Sequence, residues 1–131
     1  MMRYPFAALI IACFVDVAGA QELPPYNPAP VVLSEQKTQV WRIYNLNPDC
    51  TAADVIVAKV TKQGKGQIEF EENLGYSAYS KDSQKYRCNT QQTAGLSVFY
   101  TSPTGFKGTD EIELVGGHGQ SRRASFRVRV K

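Results

Sequence analysis

The sequence predicts an all-β protein, an antiparallel β-sandwich of about seven strands. Residues 111–114 and 124–130 alternate apolar with charged or polar side chains, the two-residue period of a half-buried strand. The other segments with strand character are 31–33, 39–46, 54–61, 67–71, 86–88 and 96–100. Because no segment shows the apolar spacing of a convincing amphipathic helix, the chain is expected to bury its core between sheets.

Residues 1–20 predict a cleaved export signal. Arg3 gives a positive start, residues 6–15 form an apolar core, and an A-G-A motif predicts cleavage after Ala20. The apolar core is shorter than the roughly 20 residues that span a bilayer. A lipobox-like I-I-A-C sequence would instead place a lipid on Cys13, but the apolar sequence continues beyond it. We expect a periplasmic or secreted protein that does not span the membrane.

The exported part is divided into a short arm and one domain. Residues 21–30 contain four prolines and predict an extended arm, which either leads into the domain or, through Tyr26, serves as a Pro-rich ligand. Residues 31–131 have the length of a single domain. The net charge of +3, which loss of residues 1–20 leaves unchanged, is too small to indicate nucleic-acid binding.

Two cysteines, Cys50 and Cys88, remain after export. In an oxidising compartment a lone pair forms one structural disulfide most simply, and closing a loop of this length stabilises the fold by about 4 kcal/mol. A redox-active pair is the alternative, although no C-x-x-C spacing is present to lower a thiol pKa.

A turn signal in residues 100–114 is the most informative feature of the chain. Pro103 fixes φ for a turn, and Gly105 and Gly108 supply backbone conformations that side chains disfavour. Phe106 lies between the two glycines. We expect this aromatic ring to close one end of the sandwich.

This segment, YTSPTGFKGTDEIEL, resembles the Y-x-P-x-x-G-F-x-G-T-D signature of bacterial cadherin-like and Ig-like extracytoplasmic modules. The resemblance implies an Ig-like or cadherin-like sandwich in which Asp110 caps its own turn by accepting backbone hydrogen bonds. Cadherin-like modules can bind calcium. The chain carries neither a D-x-N-D-N linker nor a D-x-[DN]-x-[DN]-G loop, so we expect no metal and no cofactor.

The last two strands predict a hairpin joined by the Gly-rich segment 116–121. The expected pairs are Ile112 with Val128, Leu114 with Phe126, Glu113 with Arg127, and Glu111 with Arg129. This register builds one apolar face and one charged face. The basic residues of the hairpin are expected to form a solvated face, or alternatively a patch for an anionic polysaccharide.

Candidate binding residues fall into two groups. An exposed loop near residues 73–85 carries Tyr76 and Tyr79, and loops of this kind tolerate variation without disturbing a core. The basic group consists of Arg122, Arg123, Arg127 and Arg129.

Trp41 is expected in the core beside Ile43, with a sugar-stacking platform as the alternative.

No constellation of residues predicts catalysis. The single histidine, His118, lies in a Gly-rich turn, and no Ser or Cys near it has an activating context. One histidine and two paired cysteines are too few for a zinc site. We therefore expect a non-enzymatic module with a recognition or structural role, whose partner is an envelope protein or polysaccharide.

A second function remains open. Tyr86-Arg87-Cys88, followed by the strand at 96–100, resembles the Y-x-C plus strand of small periplasmic inhibitors of C-type lysozyme. That resemblance implies an inhibitor of a secreted enzyme such as lysozyme. No cysteine follows Cys88 to reproduce the usual pairing of those inhibitors.

Overall fold

The computed structural model describes residues 26–53, 55–118 and 120–131, with the backbone alone for His118, Gln120 and Ser121. The predicted export signal at 1–20, the lipobox cysteine Cys13 and the first part of the Pro-rich arm lie outside the described residues.

Within the described residues, seven strands form two sheets. In chain order they are β1 (Val31–Val32), β2 (Thr38–Ile43), β3 (Val57–Lys62), β4 (Gln67–Tyr76), β5 (Gln92–Thr101), β6 (Gly108–His118) and β7 (Gln120–Val130). One sheet has the order β1-β7-β6-β3 and the other β2-β5-β4. All neighbours pair antiparallel except β1 and β7, which are parallel. The predicted all-β sandwich is confirmed.

The core lies between the sheets, where alternate side chains of β5, β6 and β7 point inward. Its buried members from these strands are Leu96, Val98, Tyr100, Ile112, Leu114, Ala124, Phe126, Val128 and Val130. Ile43 is buried with them, and Trp41 is half-buried against the same cluster. Removing this apolar surface from water is the main favourable term in the fold.

The β6–β7 hairpin has the expected faces in a different register. The observed pairs are Ile112 with Phe126, Leu114 with Ala124, Glu111 with Arg127, and Glu113 with Ser125. The predicted pairs of Ile112 with Val128, Leu114 with Phe126, Glu113 with Arg127 and Glu111 with Arg129 were wrong. Both strands continue to His118 and Gln120 instead of ending at a long turn over 116–121. The resulting shift of two residues keeps every side chain on its expected face.

Two further expectations are corrected between β4 and β5. Residues Tyr86–Thr90 form a 3₁₀ helix, so the strand expected at 86–88 was wrong. The backbone N–H of Cys88 donates to the carbonyl of Lys85, three residues earlier in the chain. This hydrogen bond closes a 3₁₀ turn, so the N–H bonds within its own segment and not to a neighbouring strand. In addition, β4 continues to Tyr76, which shortens the loop that was expected to begin near residue 73.

The described part of the Pro-rich arm runs along the outer edge of β7. Backbone N–H groups of Ser125, Arg127, Arg129 and Lys131 donate to the carbonyls of Tyr26, Pro28, Pro30 and Val32. Pro28 and Pro30 have no N–H to return, so they occupy an edge, the position in a sheet that tolerates proline. This part of the arm covers the sheet edge instead of leading freely into the domain.

The two ends of the sandwich differ in construction. Tight turns at 63–66 and 102–107 form one end, here called the turn end. Longer loops at 44–53 and 77–91 form the other. The predicted disulfide between Cys50 and Cys88 is confirmed; it joins those loops with a Cα–Cα distance of 5.4 Å, and we call this the disulfide end.

Candidate functional site

The turn end carries the residues of the sequence signature. Gly105 (φ 75°) and Gly108 (φ 123°) have positive φ, and the N–H of Phe106 donates to the carbonyl of Pro103 at 3.1 Å. The Phe106 ring is half-buried against the core, with the Lys65 ammonium 5.0 Å from its centre. These residues form a closed structural turn.

Asp110 is almost fully buried at this end, with 4% of its surface exposed. Its carboxylate accepts the backbone N–H groups of Lys65 (2.9 Å) and Gly66 (2.8 Å) and the Tyr100 hydroxyl (2.9 Å). The expectation that it caps its own turn was wrong: it caps the β3–β4 turn, because Asp110 already belongs to β6 and points inward.

This network shifts two pKa values. Burial alone would raise the pKa of Asp110, but the backbone N–H groups and the Tyr100 hydroxyl outweigh burial and lower it. Burial, the hydrogen bond to Asp110 and the negative charge of Asp110 all raise the pKa of Tyr100. Both carboxylate oxygens accept hydrogen bonds from within the protein, so this acid serves the fold.

The two candidate tyrosines have different environments. Tyr79 is half-buried, accepts the Leu46 N–H at 3.0 Å and lies edge-on to Tyr44 at 5.2 Å. Burial raises the pKa of Tyr79. Tyr79 therefore joins the loops of the disulfide end, whereas Tyr76 is 60% exposed.

The four candidate arginines do not form one patch. Arg123 and Arg127 lie on the outer face of the four-stranded sheet. The Nε atom of Arg123 is 3.4 Å from Glu113 Oε1, and the Nε atom of Arg127 is 3.5 Å from Glu111 Oε1. Arg129 is exposed opposite Thr109. Arg122 points elsewhere, with its guanidinium 5.1 Å from the ring centre of Tyr26. Exposed ion pairs such as those of Arg123 and Arg127 contribute only about 0–1 kcal/mol each to stability.

The structure brings Arg122 and Tyr76 together with residues that the sequence did not assign to a site. A groove of about 550 Å³ runs along β2 at the disulfide end. We call it the aromatic groove, defined by Tyr26, Trp41, Arg42, Tyr44, Tyr76 and Arg122. Its described lining contains two arginines and no carboxylate.

Packed aromatic rings form one side of the aromatic groove. Tyr26 and Trp41 are stacked with their centres 5.8 Å apart and an angle of 28°. Phe126 lies behind them, 5.8 Å from Trp41 and 6.3 Å from Tyr26. The contacts fix the rings, so this side of the groove exists before any ligand arrives.

Arg42 fixes the β2 side of the groove through an unusual set of contacts. Its guanidinium donates to Asn73 Oδ1 (2.5 Å), Ser97 Oγ (2.8 Å) and the Thr93 carbonyl (2.8 Å), across all three strands of the sheet. Burial lowers the pKa of Arg42. The buried Nε atom has no hydrogen-bond partner among the described residues. No sequence pattern predicts this network, because Arg42 lies in a strand with apolar residues on both faces.

Two other grooves have different chemistry. One of about 410 Å³ on the outer face of the four-stranded sheet is lined by Lys62, Glu111, Glu113 and Arg127, whose charges offset one another. Another of about 390 Å³ is lined mainly by aliphatic side chains, including Val55 and Leu74. Neither combines aromatic rings with charge of a single sign.

The described residues offer no metal cluster: no group of three or more His, Cys, Asp or Glu side chains among them could hold an ion.

None of the helices in the described ranges is long and apolar enough to span a membrane.

Comparisons with known proteins return no relatives. No protein-family model matches the chain, and searches of curated proteins and of solved structures find no match either.

Proposed function

We propose that this protein is an exported, non-enzymatic recognition module of the bacterial envelope and that it binds its partner in the aromatic groove. One observation carries the proposal: four aromatic side chains and two arginines line one groove without a described carboxylate. Aromatic rings and arginine are the residue types most enriched at the energetic centres of binding surfaces.

The chemistry of the groove selects anionic partners. Arg42 and Arg122 contribute positive charge to the lining of the groove, and this charge attracts anionic groups electrostatically. Tyr44 and Tyr76 add rigid apolar area that loses little side-chain entropy on binding. An anionic ligand with apolar groups therefore fits this site.

The location outside the cytoplasm is supported by two features. The Cys50–Cys88 disulfide is compatible with an oxidising compartment. Residues 1–20 have the composition of a cleaved signal. Together they support a periplasmic or secreted module.

Trp41 provides a direct test, because it is the single tryptophan of the chain and lies in the groove. The purified protein is titrated with acidic oligosaccharides and acidic peptides while tryptophan fluorescence is followed. We expect a saturable change with one of these classes, weakened in Arg122→Ala and Tyr76→Ala. The matched control is Arg129→Ala, which removes an exposed arginine outside the groove and should bind normally. Absence of saturable binding, or equal binding by all four proteins, would overturn the proposal.

The inhibitor alternative stays a prediction. The resemblance behind it used the Y-x-C motif at 86–88 and the strand at 96–100. In the structure the motif lies in the 3₁₀ helix Tyr86–Thr90, and the strand lies within β5. A lysozyme turnover assay with the same purified protein separates the two functions, since inhibition that persists in Arg122→Ala would place the activity outside the groove.

A further inference from the structure

We propose that the outer face of the four-stranded sheet is a second binding surface, which docks onto a lipid bilayer that contains anionic phospholipids. The inference goes beyond the proposed function, because the side chains that carry it lie outside the aromatic groove. It follows from the distribution of charge over the protein, from cations that are open to a ligand, and from aliphatic side chains exposed beside those cations.

The outward-pointing charges of β3, β6 and β7 lie together on this face. Phe126, Val128 and Val130 are buried, so the residues that alternate with them along β7 point outward. The cations of the face, which we call the basic face, are Lys59, Lys62, Arg123, Arg127, Arg129 and Lys131. Only Glu111 and Glu113 lie among them as described carboxylates. The resulting excess of four positive charges is larger than the net charge of +3 of the whole chain.

The opposite side of the sandwich has no such excess. On the outer face of the three-stranded sheet, the Lys37 ammonium lies 2.5 Å from Glu71 Oε1 and 3.6 Å from Glu69 Oε2. The guanidinium of Arg42 is held by β4 and β5. Positive charge is therefore concentrated on one broad side of the protein, and an anionic surface would attract that side.

The cations of the basic face are open to a ligand. Lys59, Arg129 and Lys131 are exposed, and none of them has an ion-pair partner among the described residues. Arg123 and Arg127 are 67% and 72% exposed, with their Nε atoms 3.4 and 3.5 Å from carboxylate oxygens. Neither guanidinium donates a hydrogen bond within the part of the chain that the structure describes. Their Nη groups can therefore bind phosphate oxygens.

Exposed aliphatic side chains accompany the cations at both ends of the basic face. Val57 lies two residues before Lys59 on the same side of β3 and is 67% exposed, toward the disulfide end. Val31 pairs with Arg129 and is 54% exposed, toward the turn end. A peripheral membrane-binding surface combines these two features, because cations bind anionic headgroups while neighbouring apolar groups enter the boundary between headgroups and acyl chains.

A soluble anionic polysaccharide fits the basic face less well than a bilayer. Its charged groups would satisfy the cations but would leave Val31 and Val57 in water. The face also extends about 27 Å along β7 from Arg123 to Lys131 and about 14 Å across its four strands. A surface of this breadth suits a planar partner better than a single polymer chain.

Vesicle binding tests the inference. The purified protein is mixed with vesicles of phosphatidylcholine, with or without phosphatidylglycerol, and the bound fraction is measured by sedimentation. We expect binding to the anionic vesicles only, weakened by salt because the surface charges are screened. Arg129→Gln with Lys131→Gln should weaken this binding about tenfold or more, since two cations near the surface are lost. Val31→Thr with Val57→Thr should weaken it about threefold or more, since less apolar area leaves water.

The matched control removes the same charge elsewhere. Lys37→Gln with Lys81→Gln takes two exposed cations from outside the basic face and should bind like wild type. Urea unfolding shows whether each variant is folded before its binding is compared. If the control weakens binding as much as Arg129→Gln with Lys131→Gln, net charge and not the basic face is responsible, and the inference is overturned.

Two other results would also overturn the inference. One is the absence of binding to anionic vesicles. The other is binding of soluble polygalacturonate that depends on Arg129 and Lys131 while vesicles bind no protein, since the basic face would then serve a polysaccharide. None of these variants alters a residue that lines the aromatic groove, so each result leaves the test of the proposed function unaffected.

Discussion

The hydroxyl of Tyr100 donates a 2.9 Å hydrogen bond to the buried carboxylate of Asp110 and so joins the two sheets at the turn end. The same carboxylate accepts the backbone N–H groups of Lys65 and Gly66 in a third segment, the β3–β4 turn. Gly66 must be glycine for this geometry, since a Cβ there would lie 2.2 Å from the Tyr100 ring. One carboxylate therefore holds three segments together.

Replacing Asp110 should destabilise the protein more than replacing its tyrosine partner. Asp110→Ala leaves three donors without an acceptor, for a loss of about 3–5 kcal/mol in the free energy of unfolding. Tyr100→Phe removes one hydrogen bond and leaves the backbone donors satisfied, for a loss of about 1–3 kcal/mol. Urea unfolding at neutral pH measures both. Equal losses would show that the carboxylate does not organise the β3–β4 turn.

The same carboxylate predicts a pH dependence at the acid end. The pKa of Asp110 in the folded protein is lowered from its ordinary 3.8, since its hydrogen bonds outweigh burial. A lowered pKa adds stability that is fully present above the unfolded-state pKa and is lost as pH falls through the folded-state pKa. The stability difference between wild type and Asp110→Asn should thus be constant above about pH 5 and shrink below about pH 4. A difference that grows toward acid would contradict this sign.

The fold class could be predicted from the sequence because alternation is a local signal. Inward and outward positions in β6 and β7 follow from a period of two, and the structure keeps those faces. The register could not be predicted the same way, since a shift of two residues preserves every face. It depended on where the strands end, at His118 and Gln120.

The aromatic groove could be predicted only in fragments. Tyr76 and Arg122 were candidates, but Tyr26 was assigned to a proline-rich arm whose pairing with β7 is a long-range contact. Arg42 was hidden because its partners, Asn73 and Thr93, belong to other strands. Local patterns carry no information about which distant segments meet, so the site depends on topology that alternation does not encode.

The Cys50–Cys88 disulfide, which joins the two loops of the disulfide end, should contribute strongly to the stability of the fold. Removing both sulfurs with Cys50→Ser and Cys88→Ser should lower the free energy of unfolding by about 2–4 kcal/mol, because the unfolded chain gains the freedom of the opened loop. Urea unfolding of the double variant, compared with wild type under reducing and non-reducing conditions, measures the effect. The reduced wild type should match the double variant. An unchanged midpoint in both would show that the loops need no covalent link.

Arg42 should be coupled energetically to Gly75, and the coupling tests the network that shapes the β2 side of the groove. A Cβ at Gly75 would lie 2.6 Å from Arg42 Cζ, and its three nearest atoms all belong to that side chain, so Gly75→Ala should cost about 1–3 kcal/mol in wild type. In an Arg42→Ala background the clash is gone, and the same change should cost close to nothing.

Gly95 supplies the matched control for that cycle. A Cβ at Gly95 would also lie 2.9 Å from the backbone carbonyl oxygen of Ile43, a contact that remains after Arg42 is removed. Gly95→Ala should therefore stay destabilising in both backgrounds, by about 1–3 kcal/mol. Unfolding of the single and double variants in urea gives each coupling energy. If Gly75→Ala costs the same with and without Arg42, the guanidinium does not occupy the space above Gly75, and the proposed rigid side of the aromatic groove loses its basis.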